Sequence, residues 1–157
     1  MTSIPFGRVG QGPALTGDGA GEVYGSQGLT PVILRAMDAR IRKALESERT
    51  IDITTTGRAS GSPRRIEMWF HNLDGKVYIT GTPGKRDWYA NLLAHPEFRF
   101  HLKVGVVVDL AARARPIIDP AVRRAVLIRI VDRVGRTADL EAWLAESPLV
   151  EVTFEHD

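Results

Sequence analysis

Cysteine is missing from this 157-residue chain. That excludes disulfides, thiolate metal sites and cysteine nucleophiles, and it suits a reducing compartment. No apolar run approaches the roughly 18 residues of a membrane helix, so no membrane span is expected. The first residues hold no apolar signal core, and a cytoplasmic location is expected. Net charge is only +2, too little for a nucleic-acid footprint, so no nucleic-acid partner is expected. His71, His95, His101 and His156 form neither H-x-H nor H-E-x-x-H, and no metal site is expected. G-x-S-x-G is absent, as is the Walker spacing G-x-x-x-x-G-K-[ST].

What is present suggests one domain behind an arm. Residues 1–29 hold eight glycines and read as a flexible Gly-rich N-terminal arm; 30–157 read as one domain. Thr30-Pro31 is an N-cap and first-turn signal, and Ile33, Met37, Ile41 and Leu45 form an i, i+4 stripe, predicting a helix over about 31–47. A β-branched strand ends at Gly57. "PRRIEMWFHNL" reads as a second strand closed by Asp74-Gly75, and "KVYITG" as a third, so 63–81 reads as a hairpin. "KRDWYANLLAHP" reads as a short helix, "EFRFHLK" as a strand, and "VGVVVDLAARARPII" as a long strand or a pair bent near Gly105. Asp119-Pro120 opens a helix to about 134, a short helix covers about 138–146, and "PLVEVTFEH" closes as a strand. Five or six strands with few helices point to a mainly β (α+β) small barrel with helical caps.

Charge is uneven. Residues 111–136 carry seven arginines against Asp119 and Asp132, while 137–157 carry six acids and no Lys or Arg. Pairing of the two segments is expected. The stretch 54–65, "TTTGRASGSPRR", holds three arginines and no acid. Gly57 and Gly61 permit a tight turn, with Arg58 inside it. Arg64 and Arg65 point to opposite faces of a strand, so one of them joins Arg58. Such a turn is either a solvated basic hairpin or a grip for phosphate or carboxylate. A second basic loop, "TGTPGKRDWY", places Lys85 and Arg86 at the start of a short helix, where an anion is already favoured. Trp69, Trp88 and Tyr89 read as core, with a stacking surface for a flat ring as the alternative. Asn91 caps or bridges loops. Glu67 reads as facing solvent or an arginine, or else a pocket edge. Arg123 shares a helix face with Val126, Leu127, Ile130 and Val134; it either snorkels or points into a cavity.

"TTTGRASGSPRRIEMWF" followed by "VYITGTPGKRDWYANLLAHPEF" resembles the deazaflavin (F-420)-dependent nitroreductase family. That family lies among the split β-barrel flavin and deazaflavin oxidoreductases of the pyridoxamine-phosphate-oxidase-like superfamily. The resemblance covers about residues 50–110. It implies a split β-barrel, FMN-binding-like, with flanking helices, and coenzyme F-420 as cofactor, FMN being the alternative. It implies that Arg58 and Arg64, with Ser60 in the same turn, hold the anionic tail or phosphate. Ile66, Glu67 and Met68 would run along the ring system. Thr80, Gly81, Lys85 and Arg86 would line the phosphate side, with Trp88 nearby. A reductase acting on a small-molecule substrate follows, together with a homodimer; the non-catalytic alternative is a flavin- or tetrapyrrole-binding module. Many members have Pro-Leu at Glu67-Met68, and the helix after Asp119 lacks the tyrosines of nitro-reducing members. Nitroreductase activity and catalytic residues are therefore not carried over.

Overall fold

A computed structural model describes residues 31–155, with side chains from residue 38. The Gly-rich arm, Thr30, and the side chains of Ile33 and Met37 lie outside the described residues. The elements in chain order are α1 (Pro31–Ser47), β1 (Thr50–Thr56), β2 (Pro63–Trp69), β3 (His71–Leu73), β4 (Lys76–Thr80) and α2 (Asp87–Ala94). They continue with β5 (Glu97–Lys103), β6 (Val107–Pro116), α3 (Pro120–Arg133), α4 (Leu140–Glu146) and β7 (Leu149–Phe154). A 3-10 turn over Thr137–Asp139 leads into α4.

The strands form one antiparallel sheet in the order β2-β1-β5-β6-β7-β4-β3. β2 and β3 are its two edges, yet only Phe70 separates them in the chain. The sheet must therefore curl until its edges approach, giving a half-barrel. This corrects two sequence expectations. Among the described residues there are seven strands, not five or six, and 63–81 is not one hairpin. β2 pairs with β1, while the hairpin is β3–β4 alone. The cause is Phe70, which is 1% exposed. Its ring packs edge-on against Phe100 at 5.4 Å, and its N–H donates to the Arg49 carbonyl at 2.9 Å. Burying that ring breaks the two-residue alternation, and the chain changes edge there. The β3–β4 turn uses Asp74 (φ 57°) and Gly75 (φ 92°), the left-handed pair that such a tight turn requires.

The concave side holds the main core of Ile51, Ile53, Phe70, Ile79, Leu92, Phe100 and Val150, with Ile41 and Leu45 of α1 packed against it. A second cluster, including Tyr78, Leu127, Ile130, Trp143 and Leu149, seats α3 and α4. β4 serves both, which explains three consecutive buried residues, Val77 to Ile79. α3 begins as its sequence dictates. The Asp119 carboxylate accepts from the Val122 N–H at 3.0 Å, and Pro120 fills the first turn. The basic and acidic segments do pair, through Arg115–Glu151, Arg124–Glu141 (3.2 Å) and Arg136–Asp139 (2.6 Å).

Candidate functional site

Register assigns each side chain of β2 to a face. Arg64, Ile66 and Met68 stand opposite Thr55, Ile53 and Ile51, so they face the concave side. Arg65, Glu67 and Trp69 face outward. The turn between β1 and β2 is closed by Gly57 N–H to the Ser62 carbonyl and Gly61 N–H to the Gly57 carbonyl, each 2.8 Å. Gly61 sits at φ 74°, and the Ser60 hydroxyl accepts from the Ser62 N–H at 3.0 Å. This turn overhangs the start of α2.

Between them lies a cleft of about 440 Å³, lined by Arg58, Ser60, Arg64, Ile66, Trp88 and Asn91 among others. That volume falls within the ordinary range for small-molecule sites. Asn91 organises it. Its Oδ1 accepts from both the Arg58 backbone N–H and Arg58 Nη1, at 3.0 Å each. Its Nδ2 donates to Thr55 Oγ1 at 3.2 Å. Arg58 is thus anchored through a neutral amide. Its carboxylate contact is Asp87 at 3.4 Å, a side chain 91% exposed. Arg64 has neither an ion pair nor a hydrogen bond among the described residues. Among the described residues the cleft therefore offers one anchored and one uncommitted guanidinium beside Trp88. An anionic group satisfies that set, and a fork of two guanidiniums suits phosphate or carboxylate.

The remaining expected residues fall in other places. Met68 packs against the main core. Glu67 faces outward and takes Lys103 Nζ at 2.5 Å, while Asp52 takes the same ammonium at 2.6 Å. Burial pushes the Asp52 carboxyl up, but hydrogen bonds from Lys103 and Arg65 outweigh this and hold it below the usual range. Hydrogen bonds to Asp52 and Glu67 raise Lys103 above the usual ammonium value. Thr80 Oγ1 donates to the Pro148 carbonyl at 2.5 Å. Gly81 lies in the loop after β4, its Cα facing the Arg86 guanidinium. Arg86 turns back on that loop, donating to the Thr82 carbonyl at 2.9 Å and the Thr82 hydroxyl at 2.6 Å. Helix α2 starts at Asp87 with Arg86 as its N-cap residue, and the Arg86 side chain makes no capping hydrogen bond. Lys85 lines a different cavity, on the far side of the first turn of α2. Trp88 is both core and cleft wall, 7% exposed. Trp69 is not core: it is 48% exposed on the outer face, with Arg49 stacked over it at 4.6 Å. No His, Asp or Glu cluster among the described residues has the shape of a metal site.

A half-barrel of this order, with α1 and α2 on the concave side and a basic turn over a cleft, is a split β-barrel. The sequence profile of the F420H(2)-dependent quinone reductase family matches residues 30–139, and the chain belongs to that family. Three solved structures share the fold. A conserved hypothetical protein of Mycobacterium tuberculosis matches with TM-score 0.63 at 20% identity, over 76% of this chain and 81% of that one. A protein of Listeria innocua provisionally assigned as a pyridoxamine 5′-phosphate oxidase matches with TM-score 0.60 at 11% identity, over 76% and 94%. A protein titled F420 reductase matches with TM-score 0.54 at 21% identity, over 73% and 93%.

Proposed function

We propose that the protein is an oxidoreductase that binds reduced coenzyme F-420 in the Arg58–Arg64 cleft and passes a hydride to a small organic acceptor. The supporting observation is the uncommitted Arg64 guanidinium beside an Arg58 anchored by a neutral amide. A protein that needed these charges only for solubility had no cause to fix one with a buried asparagine. Arg58, Arg64 and the Ser60 hydroxyl would hold the anionic tail or phosphate. Ile66 and Trp88 would present apolar surface to the ring, and the core behind them excludes water from that side. The bound coenzyme supplies the hydride chemistry, so the chain needs to bind, orient and dehydrate rather than supply an acid–base pair. The family name points to a quinone as the acceptor class. Glu67, facing outward against Lys103, has no part in this reading. A homodimer belongs to it, checked by light scattering.

The test is a fluorescence titration of the purified protein with coenzyme F-420 and, separately, FMN. Wild type is compared with the Arg58→Ala, Arg64→Ala double variant. The expected result is F-420 binding that weakens by at least about a hundredfold in the variant, from two charge-assisted contacts. FMN binding that survives both substitutions, with none to F-420, overturns the proposal.

A further inference from the structure

A sheet with two edges exposes two rows of backbone N–H and C=O groups, and chains commonly protect such edges. β3 is protected. It has three residues, His71 and Leu73 are buried, and Asn72 Nδ2 donates to the Leu45 carbonyl of α1 at 3.0 Å. β2 is not. It has seven residues, and its register with β1 is unbroken from Thr50–Trp69 to Thr56–Pro63. Its other side has no strand partner among the described residues. Arg64, Arg65, Ile66, Glu67 and Trp69 are all exposed. Ile66 at 38% and Trp69 at 48% are large apolar side chains on an open edge. Pro63 is the first residue of the strand, a position that sheets tolerate.

The order of side chains makes this edge complementary to itself. Two antiparallel copies related by a two-fold axis keep their faces in line only when the axis passes through a residue, because the faces alternate. An axis at Arg65 sets two arginines opposite each other, and an axis at Glu67 sets two glutamates opposite each other, both unfavourable. An axis at Ile66 pairs all seven residues of the strand. On the outer face it sets Arg65 opposite the partner's Glu67 and Trp69 opposite the partner's Pro63, each contact occurring twice. On the concave face it sets Ile66 beside the partner's Ile66 and Arg64 beside the partner's Met68. Arg65 and Glu67 already bond Asp52 and Lys103 of their own chain, which holds them on the outer face. Their side chains remain 41% and 62% exposed, open to a second contact.

We propose that β2 is the docking edge for a second copy of this chain, joined across a two-fold axis at Ile66, and that the partner's Ile66 and Met68 extend each Arg58–Arg64 cleft. The docking edge needs no cofactor; the shared cleft rests on the oxidoreductase reading above. Pairing fuses the two sheets into one and brings directly opposed Cβ atoms to about 5 Å. Ile66 lines the cleft, so the partner's apolar side chains continue its wall. The contact is one strand wide, at the low end of specific interfaces, and the dimer should dissociate on dilution.

The test begins with light scattering of the full chain over a concentration series, without cofactor. Wild type should dimerise. Arg65→Glu makes both outer charges of the strand acidic, and Glu67→Arg makes both basic. Each alone should raise the midpoint of dimerisation about tenfold or more, from two like-charge contacts. Their equimolar mixture should dimerise again, because acid then faces base at both contacts, and the double variant should dimerise by itself. Circular dichroism checks that each variant is folded. The chain has no cysteine, so a second test leaves the charges alone. With copper phenanthroline as oxidant, Ile66→Cys should give a disulfide-linked dimer. Met68→Cys should not, because its two copies lie four residues apart along the strands and beyond disulfide reach. Wild type that stays monomeric to about 0.1 mM overturns the proposal. So does a mixture that fails to recover the dimer, or equal cross-linking at both cysteines. F-420 titration then tests the shared cleft: affinity should be higher in the mixture than in either variant alone. Equal affinity removes the shared cleft and leaves the interface. A recovered dimer that binds no F-420 leaves the interface and removes the cofactor reading.

Discussion

Asn91→Ala separates a structural role for the cleft from a binding one. The substitution removes two hydrogen bonds to Arg58 and one to Thr55. Thr55 is 2% exposed and Asn91 4%, so water does not readily replace the lost partner. Two neutral bonds contribute about 1 kcal/mol each. The bond to the Arg58 guanidinium belongs to a side chain 47% exposed, and solvent screening reduces it to about 1 kcal/mol or less. The expected destabilisation is about 2–3 kcal/mol, on the order of a 10 °C fall in Tm for a domain of this size. Arg58 then keeps only the 3.4 Å contact with Asp87. An unanchored cation must be ordered by the ligand itself, and F-420 affinity should fall about tenfold. Asn91→Asp is the control. It can still accept from Arg58 but adds a negative charge to the cleft, so it should recover some stability while binding F-420 no better than Ala. The assays are thermal unfolding and fluorescence titration at fixed ionic strength. If Asn91→Ala lowers Tm as expected and F-420 affinity is unchanged, Arg58 does not hold the ligand.

His71 gives a pH signature. It is 3% exposed, and burial, reinforced by Arg133 and Arg49, lowers its pKa to about 4 from 6.5. A depressed histidine pKa means that the unfolded chain binds the proton more readily, so stability is full above about pH 6.5 and declines as pH falls toward 4. The loss from this group is about 2–3 kcal/mol at pH 4. His71→Gln should flatten that decline in urea midpoints measured from pH 7 to 4, and an unchanged slope refutes the assignment. Gly57→Ala would place a Cβ 2.6 Å from Ser60 Oγ and 3.2 Å from the Ser62 carbonyl. The turn must open, at about 1–2 kcal/mol, and F-420 binding should weaken with it. Unchanged affinity shows that the turn geometry is not needed. Glu67→Gln should leave both Tm and F-420 binding within error, because its partner is an exposed lysine on the outer face; weakened binding would return Glu67 to the site.

The helices were legible because their ends are chemically marked. Asp119-Pro120 starts α3, and the spacing of Ile41 and Leu45 turns α1 toward the core. The turn after Gly57 was legible for the same reason. The edge change at Phe70 was not. An eleven-residue β-rich stretch reads as one strand, and only the demand of the curled sheet for an interior ring breaks it. Asn91 was the most informative residue missed from the site. Its partners lie 33 and 36 positions away, and a lone asparagine in a short amphipathic helix signals nothing by itself. The division of Lys85 from the cleft depends on where α2 begins, and that in turn on the loop that Arg86 closes on itself.

The charges of the basic turn separate by face, and this connects composition to chemistry. Arg65, outward, finds Asp52 at 2.9 Å. Arg124 and Arg129 of α3 and both arginines of β6 likewise find acids, as in Arg129–Asp74 at 2.8 Å and Arg113–Glu97. Exposed pairs of this kind are easily formed and contribute little each. The chain therefore had acids available for its cations wherever a surface called for them. Arg64, on the concave side, is the exception within one short stretch: it has no acid partner among the described residues, whereas Arg58 has Asp87 at 3.4 Å. Alternation along β2 carries this sorting, since one residue of slip would exchange Arg64 for Arg65 and put Glu67 in the cleft. A variant that lengthens β2 by one residue after Gly61 should therefore lose F-420 binding even where the fold survives. Retention of full affinity in a folded insertion variant would mean that the ligand does not read the face of β2 at all.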